Sequence, residues 1–130
     1  MKYLLDTHIL IWLSTNPAQL SAKIRSICEE TSNELYVSIA SFWELSIKMS
    51  LGKIDLADNA LEQLQSWCHS NQVTILPIEV THCERVKSLP FYHRDPFDRL
   101  FIAQALELDL TLISADGLFA DYEGLQLLPA

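Results

Sequence analysis

Basic residues are scarce in this chain. Lysine and arginine number 9 against 17 aspartates and glutamates in 130 residues, a formal net charge of −8. That balance argues against a protein that coats duplex nucleic acid through a broad basic surface. It does not exclude an enzyme acting on nucleic acid, because bound divalent cations reverse the local sign of an acidic pocket. Three glycines and five prolines are too few for a linker-rich or collagen-like chain. The three cysteines, Cys28, Cys68 and Cys83, are odd in number, widely spaced and without a CxxC pair. They suggest small, buried or half-buried free thiols in a reducing cytosol. No apolar run approaches the roughly 18 residues needed to cross a bilayer. The opening Met1-Lys2-Tyr3-Leu4-Leu5-Asp6 meets an aspartate too early for a signal peptide. A cytoplasmic protein with no membrane contact is expected. GxxxxGK, GxGxxG, GxSxG and HExxH are all missing, and His8, His69, His82 and His93 are scattered. Nucleotide loops, a nucleophile elbow and zinc are therefore disfavoured.

What is present is apolar substance. Hydrophobic residues make up 49% of a 14.8 kDa chain, enough for one real core and one domain spanning residues 1–130. Short apolar runs at residues 3–5, 35–38, 73–76, 111–114 and 125–127 read as strands. Between them lie helical patterns: residues 8–13, a second helix capped by Ser21 and running to about Glu30, one over 40–51 ending near Gly52, one capped by Asp58, and one over 79–88. Asp95-Pro96 announces the last long helix, with Asp95 at the cap and Pro96 preorganised for the first helical position. Strands alternating with helices indicate an α/β sandwich with a mostly parallel sheet. Trp12, Trp43, Trp67, Phe97 and Phe101 lie in helical patterns and read mainly as core, with Trp12 and Trp43 open to a role at a partner surface.

In open parallel sheets, ligands collect beyond the carboxyl ends of the strands. Asp6 directly follows the first strand, and Asp116 lies two residues after the 111–114 strand. If those strands are neighbours, both carboxylates reach one crevice, and Glu44 and Asp98 can join from helices. Each acid also has a plain structural use. Glu44 precedes Lys48 by four residues, the favourable orientation for a helical ion pair. Asp98 falls at the third helical position, where it suits the dipole and a capping arrangement. Yet it projects toward the side of Phe101, Ile102 and Ala105 rather than that of Arg99, Ala103 and Glu107. A carboxylate on a buried face needs a partner. Asp6 and Asp116 can each simply cap a loop or helix. Taken together, four converging carboxylates repel unless cations sit among them, and hard cations such as Mg²⁺ and Mn²⁺ want such oxygen ligands. Such a site suits phosphoryl chemistry.

The pieces Leu4-Leu5-Asp6-Thr7-His8, Val37 through Leu45 with Trp43-Glu44, His93-Arg94-Asp95-Pro96-Phe97-Asp98-Arg99 through Ala105, and Leu112 through Asp116 occur in this order over almost the whole chain. Together they resemble PIN-domain proteins, specifically the VapC-like ribonuclease toxins of bacterial type II toxin–antitoxin pairs. The resemblance implies a three-layer α/β/α fold with a parallel five-stranded sheet in the order 3-2-1-4-5, which sets Asp6 and Asp116 side by side. It implies an Mg²⁺- or Mn²⁺-dependent endoribonuclease whose acids are Asp6, Glu44, Asp98 and Asp116, with Asp6 and Asp116 holding the principal metal. Hydrolysis of the RNA phosphodiester would leave 5′-phosphate and 3′-hydroxyl ends. Thr7 and Ser114 would hold water or orient a carboxylate, and Asp95 would cap with some influence on the site. Ser114 stands where the family usually has threonine. Arg94, Arg99, Lys48 and Lys53 are candidate phosphate contacts, Arg99 being equally a solvated helix residue. A homodimer and a cognate antitoxin over the groove are the implied partners, with Ile11, Trp12, Phe42 and Met49 available to either contact.

Two other readings stand beside this one: a PIN nuclease outside a toxin–antitoxin pair, and a non-catalytic α/β interaction module. A receiver-type signalling domain fits poorly. It needs an aspartate after the middle strand and a lysine after the last, whereas residues 74–77 hold no aspartate and no lysine follows Lys87.

Overall fold

The apolar runs form five parallel strands: β1 (Lys2–Leu5), β2 (Glu34–Ser38), β3 (Val73–Leu76), β4 (Thr111–Ser114) and β5 (Leu127–Pro129). They make one sheet in the order β3-β2-β1-β4-β5, as expected. The computed structural model describes the backbone of residues 1–130 and every side chain except that of Leu118. Helices α1 (Thr7–Thr15), α2 (Ala22–Glu29), α3 (Ile39–Ser50), α4 (Ala60–Ser70), α5 (Val80–Ser88) and α6 (Pro96–Leu108) connect the strands, with short 3-10 turns at Pro17–Gln19 and Gly117–Asp121.

The period of two along each strand sorts the core into layers. Tyr3 and Leu5 of β1 and Ile113 of β4 face one cluster with Ile9, Leu10, Ile24, Leu64 and Cys68 from α1, α2 and α4. Leu4 and Leu112 point the other way, into a cluster with Phe101, Ile102 and Ala105 of α6 and with Phe119 and Tyr122. Both faces are covered, so β4 is buried at every position and β1 at every position but Lys2. Among the described residues, no helix is long and apolar enough to cross a membrane.

Local chemistry sets the helix ends. Ser21 caps α2 by accepting from the Ile24 N–H, and Asp95 caps α6 ahead of Pro96. Helix α3 stops at Leu51, where Gly52 turns with φ +67°, a region open to glycine at no steric cost. Three expectations are corrected. The cap of α4 is Asn59, not Asp58, and it makes no side-chain capping bond, while Asp58 is exposed. The last strand begins at Leu127 rather than Leu125, because a left-handed Gly124 (φ +80°) delays the pairing with β4 until Leu112 meets Leu127. Cys83 is exposed on α5, while Cys28 is half-buried and Cys68 buried. Burial pushes the Cys28 and Cys68 thiols up to about 11, which keeps them protonated and inert.

Candidate active site

The site lies at the carboxyl ends of β1 and β4. These strands pair through Leu5 and Ile113, and the Asp6 N–H continues the ladder by donating to the Ile113 carbonyl at 3.2 Å. Asp6 therefore leaves the sheet at its centre, where it also caps α1: its Oδ1 accepts from the Ile9 N–H at 2.9 Å. Burial pushes its carboxyl up, opposed by hydrogen bonds from Ser114 and Ile9. Ser114 ends β4, and its Oγ also accepts from the Asp116 N–H at 3.0 Å. One hydroxyl thus ties Asp6 to Asp116.

Helix α3 brings Glu44, which is 7% exposed. The Thr7 hydroxyl lies 2.5 Å from Glu44 Oε1 and 3.0 Å from Ser41 Oγ. A carboxylate only accepts, so Thr7's single proton goes to Glu44. On the other side Lys48 Nζ sits 2.9 Å from Glu44 Oε2. The helical ion pair and the place at the site are both real. Helix α6 brings Asp98. Asp95 Oδ1 accepts from the N–H groups of Phe97 (2.8 Å) and Asp98 (3.2 Å), so Asp95 fixes the first turn from which Asp98 projects. Beside the acids, Trp43 is 60% exposed and meets Phe97 edge-on at 5.3 Å, so it is a surface residue, whereas Phe101 is core.

The tightest grouping of metal-ligating atoms is not the pair the sequence favours. Ligand atoms of His93, Asp98 and Asp116 all lie within 4.8 Å of one another. Asp6 joins through Ser114 and Glu44 through Thr7, rather than as members of that group. His93, which sequence reasoning leaves among the scattered histidines, has Nε2 3.0 Å from Asp116 Oδ2. Its only sequence signal is its place two residues before Asp95 in the longest motif piece.

Charge crowding defines the site. Burial first, and then the carboxylates of Asp95, Glu44 and Asp116, push Asp98 up to about 7, with only His93 opposing. The candidate cations are largely committed elsewhere. Lys48 is bound to Glu44. Arg99 is 6% exposed and donates to the backbone carbonyls of Pro90, His93, Val86 and Leu89. This corrects the view of Arg99 as a solvated residue or a phosphate contact: α6 is packed on the Arg99 and Ala103 side as well, because the segment from α5 to α6 covers it. Arg94 and Lys53 are exposed. An oxygen-rich cluster in which one carboxylate is half-protonated near neutrality has the donor set for a hard divalent cation.

The same crowding has a consequence for stability. A carboxyl raised from 3.8 to about 7 contributes stability that is complete below its unfolded value and lost as pH rises through its folded one. In chelator, the protein is expected to lose thermal stability between about pH 4 and 7. Asp98→Asn is expected to remove most of that loss, leaving the part that the raised Asp6 carboxyl contributes, and to raise Tm at pH 8 by several degrees. Scanning calorimetry across pH checks it, and a parent-like pH slope in the variant would contradict it.

Comparison with known proteins agrees with this architecture. The PIN-domain family profile matches residues 3–125. Ribonuclease VapC22 of Mycobacterium tuberculosis is 34% identical over 115 residues, which cover 87% of this chain and 85% of that protein. The fold superposes on a chain of DNA-bound VapBC from Salmonella typhimurium with a TM-score of 0.72 at 16% identity, covering 99% of this chain and 98% of that one. A chain of VapBC2 from Rickettsia felis, bound to a promoter DNA fragment, gives 0.71 at 18% identity with the same coverage. Those two likenesses are ones of fold. With strands, acids and family profile in agreement over nearly its whole length, the chain belongs to the PIN-domain family.

Proposed function

We propose that this protein is a divalent-metal-dependent endoribonuclease, the toxin subunit of a toxin–antitoxin pair. The observation that carries the reading is the convergence of Asp98 and Asp116, with Asp6 and Glu44 beside them, on a site whose nearby Lys48 and Arg99 are already engaged. The ribonuclease VapC22, at 34% identity, supports the choice of RNA.

In this reading Asp98 and Asp116 hold an Mg²⁺ or Mn²⁺ ion, with Asp6 and Glu44 completing the charge around it. The bound ion would supply Lewis-acid stabilisation of the phosphate and activation of the attacking water. The chain's own work is orientation. Thr7 and Lys48 hold the two oxygens of Glu44, so that carboxylate cannot swing. Ser114 couples Asp6 to the Asp116 backbone. Asp95 sets the helix start that aims Asp98. RNA would be drawn by the cation more than by a basic surface, helped by exposed Arg94 and Lys53. A homodimer and a cognate antitoxin are the proposed protein partners. Of the apolar residues suggested for those contacts, Ile11, Trp12 and Phe42 pack in part against the core, which leaves only their outer faces. A cytoplasmic location accords with the inert thiols.

The test is a cleavage assay on single-stranded and structured RNA with purified protein free of antitoxin. Cleavage is expected with Mg²⁺ or Mn²⁺ and none with EDTA. No cleavage, together with no measurable binding of either ion, would favour the non-catalytic interaction module.

A further inference from the structure

We propose that His93 is not a ligand of the metal but the residue that positions Asp116, with the Asp116 carboxylate fixing the hydrogen on Nε2 and the Tyr122 hydroxyl occupying Nδ1. This rests on the reading of Asp98 and Asp116 as metal-holding carboxylates.

The His93 ring cannot turn freely. It is 5% exposed and stacked against Phe119, at 4.5 Å between centroids and 25° between planes, and near-parallel to Tyr122, at 5.5 Å and 26°. Its carbonyl accepts from Arg99 Nη1 at 3.4 Å. Its backbone N–H donates to the Tyr122 hydroxyl at 2.9 Å. The same hydroxyl lies 3.1 Å from ring Nδ1, and ring Nε2 lies 3.0 Å from Asp116 Oδ2. An ionised carboxylate accepts only, so Nε2 carries the hydrogen that points at Asp116. In the neutral ring Nδ1 is then an acceptor, and the single Tyr122 proton goes to it. The hydroxyl takes one hydrogen from the His93 backbone and returns its own to the His93 ring. Every donor in this loop meets one acceptor.

A ring arranged in this way has no lone pair for a cation. That of Nδ1 is bound to Tyr122, and Nε2 has none in the ring plane. Proximity to Asp98 and Asp116 therefore does not make His93 a ligand. It donates to Asp116 Oδ2, while the Ser114 hydroxyl receives the Asp116 N–H. Side chain and backbone of the acid are held from separate elements, which is the arrangement that supports carboxylate ligands. It also favours hard cations over zinc, since the histidine within reach is withheld.

Nitrogen-15 NMR of the histidine rings in the metal-free protein reads the tautomer directly, with His93 assigned by its loss in His93→Gln. The Nε2–H form is expected, and it is expected to persist when the protein is saturated with Mg²⁺. An Nδ1–H tautomer, or loss of the Nε2 hydrogen on adding Mg²⁺, would overturn the proposal. Mn²⁺ binding followed by electron paramagnetic resonance gives the second readout. Glutamine can still donate to Asp116 and should keep Mn²⁺ affinity within a few-fold, whereas His93→Phe should lose about 10–100-fold. Equal loss in both would indicate direct ligation and overturn the role. Should His93→Phe fail to fold, Tyr122→Phe removes only the hydroxyl that occupies Nδ1 and holds the ring, and is expected to weaken Mn²⁺ binding while Nε2 keeps its hydrogen. Unchanged Mn²⁺ affinity there would refute Tyr122's part. Mn²⁺ binding without RNA cleavage would sink the nuclease reading alone. No Mn²⁺ binding by the parent would sink the metal reading and the positioning role with it.

Discussion

Asp6→Asn and Asp116→Asn are each expected to slow metal-dependent RNA cleavage by about 10³-fold, roughly 4 kcal/mol of barrier, while the circular dichroism spectrum stays that of the parent. The amide is the same shape as the acid, so the packing around each position is kept. At Asp6 the cap is kept as well, because asparagine accepts from the Ile9 N–H about as well as aspartate does. At Asp116 the amide can still present an oxygen to the His93 Nε2–H. What is lost is charge at the point where a cation must be held. Asp6→Ala separates the two duties: it should lose activity and also about 1 kcal/mol of stability through the missing cap. Single-turnover cleavage beside urea unfolding reads both. An Asp116→Asn enzyme retaining more than about a tenth of the parent rate would remove Asp116 from the site.

The second large effect is structural and lies on the adjacent loop. Arg99→Met is expected to destabilise the fold by about 3–5 kcal/mol, a third or more of what a typical domain has. The guanidinium donates from Nη1 to Pro90 (2.8 Å) and His93 (3.4 Å), and from Nη2 to Val86 (3.0 Å) and Leu89 (3.2 Å). It also lies 4.2 Å from the centre of the Phe91 ring. Helix α5 ends at Ser88, and the last carbonyls of a helix have no partner within it. The Val86 carbonyl accepts from the Leu89 N–H at 3.2 Å, and Arg99 adds a second donor to it and then pins the loop that follows. Arg99→Lys keeps the charge but not the planar fork, so an intermediate loss is expected. Urea unfolding measures it, and a cost below about 1 kcal/mol for Arg99→Met would show that the clamp is dispensable. Because the same loop carries His93, Mn²⁺ affinity should fall in the destabilised variants before global unfolding does.

The contrast between these positions explains what could be read ahead of the structure. Strand and helix positions were legible because β1, β4 and α6 obey local rules: an apolar run bounded by an acid, or an Asp-Pro start. Asp6 and Asp116 are legible because they sit where strands stop, and Asp98 because it lies on an apolar helix face. The order of the sheet came only from the family resemblance, since nothing local tells β1 that β4 is its neighbour. Arg99 was misjudged because a helical wheel assumes one solvent face, and α6 is covered on the side that should have been wet. His93 was invisible for a related reason. Its partners Tyr122 and Asp116 lie 29 and 23 residues away, and an isolated histidine carries no periodic signal. The shift from Asp58 to Asn59 at α4 marks the ordinary resolution of capping arguments.

The central place of β1 has one more consequence, for synthesis. β1 is flanked by β2 and by β4, and its second ladder cannot form until Thr111–Ser114 has left the ribosome. Asp6 is therefore made well before Asp116 and meets it only when β4 pairs with β1. A chain that has made β1 but not β4 carries its first acid without Asp116 beside it, so closure of the sheet and assembly of the site are one event.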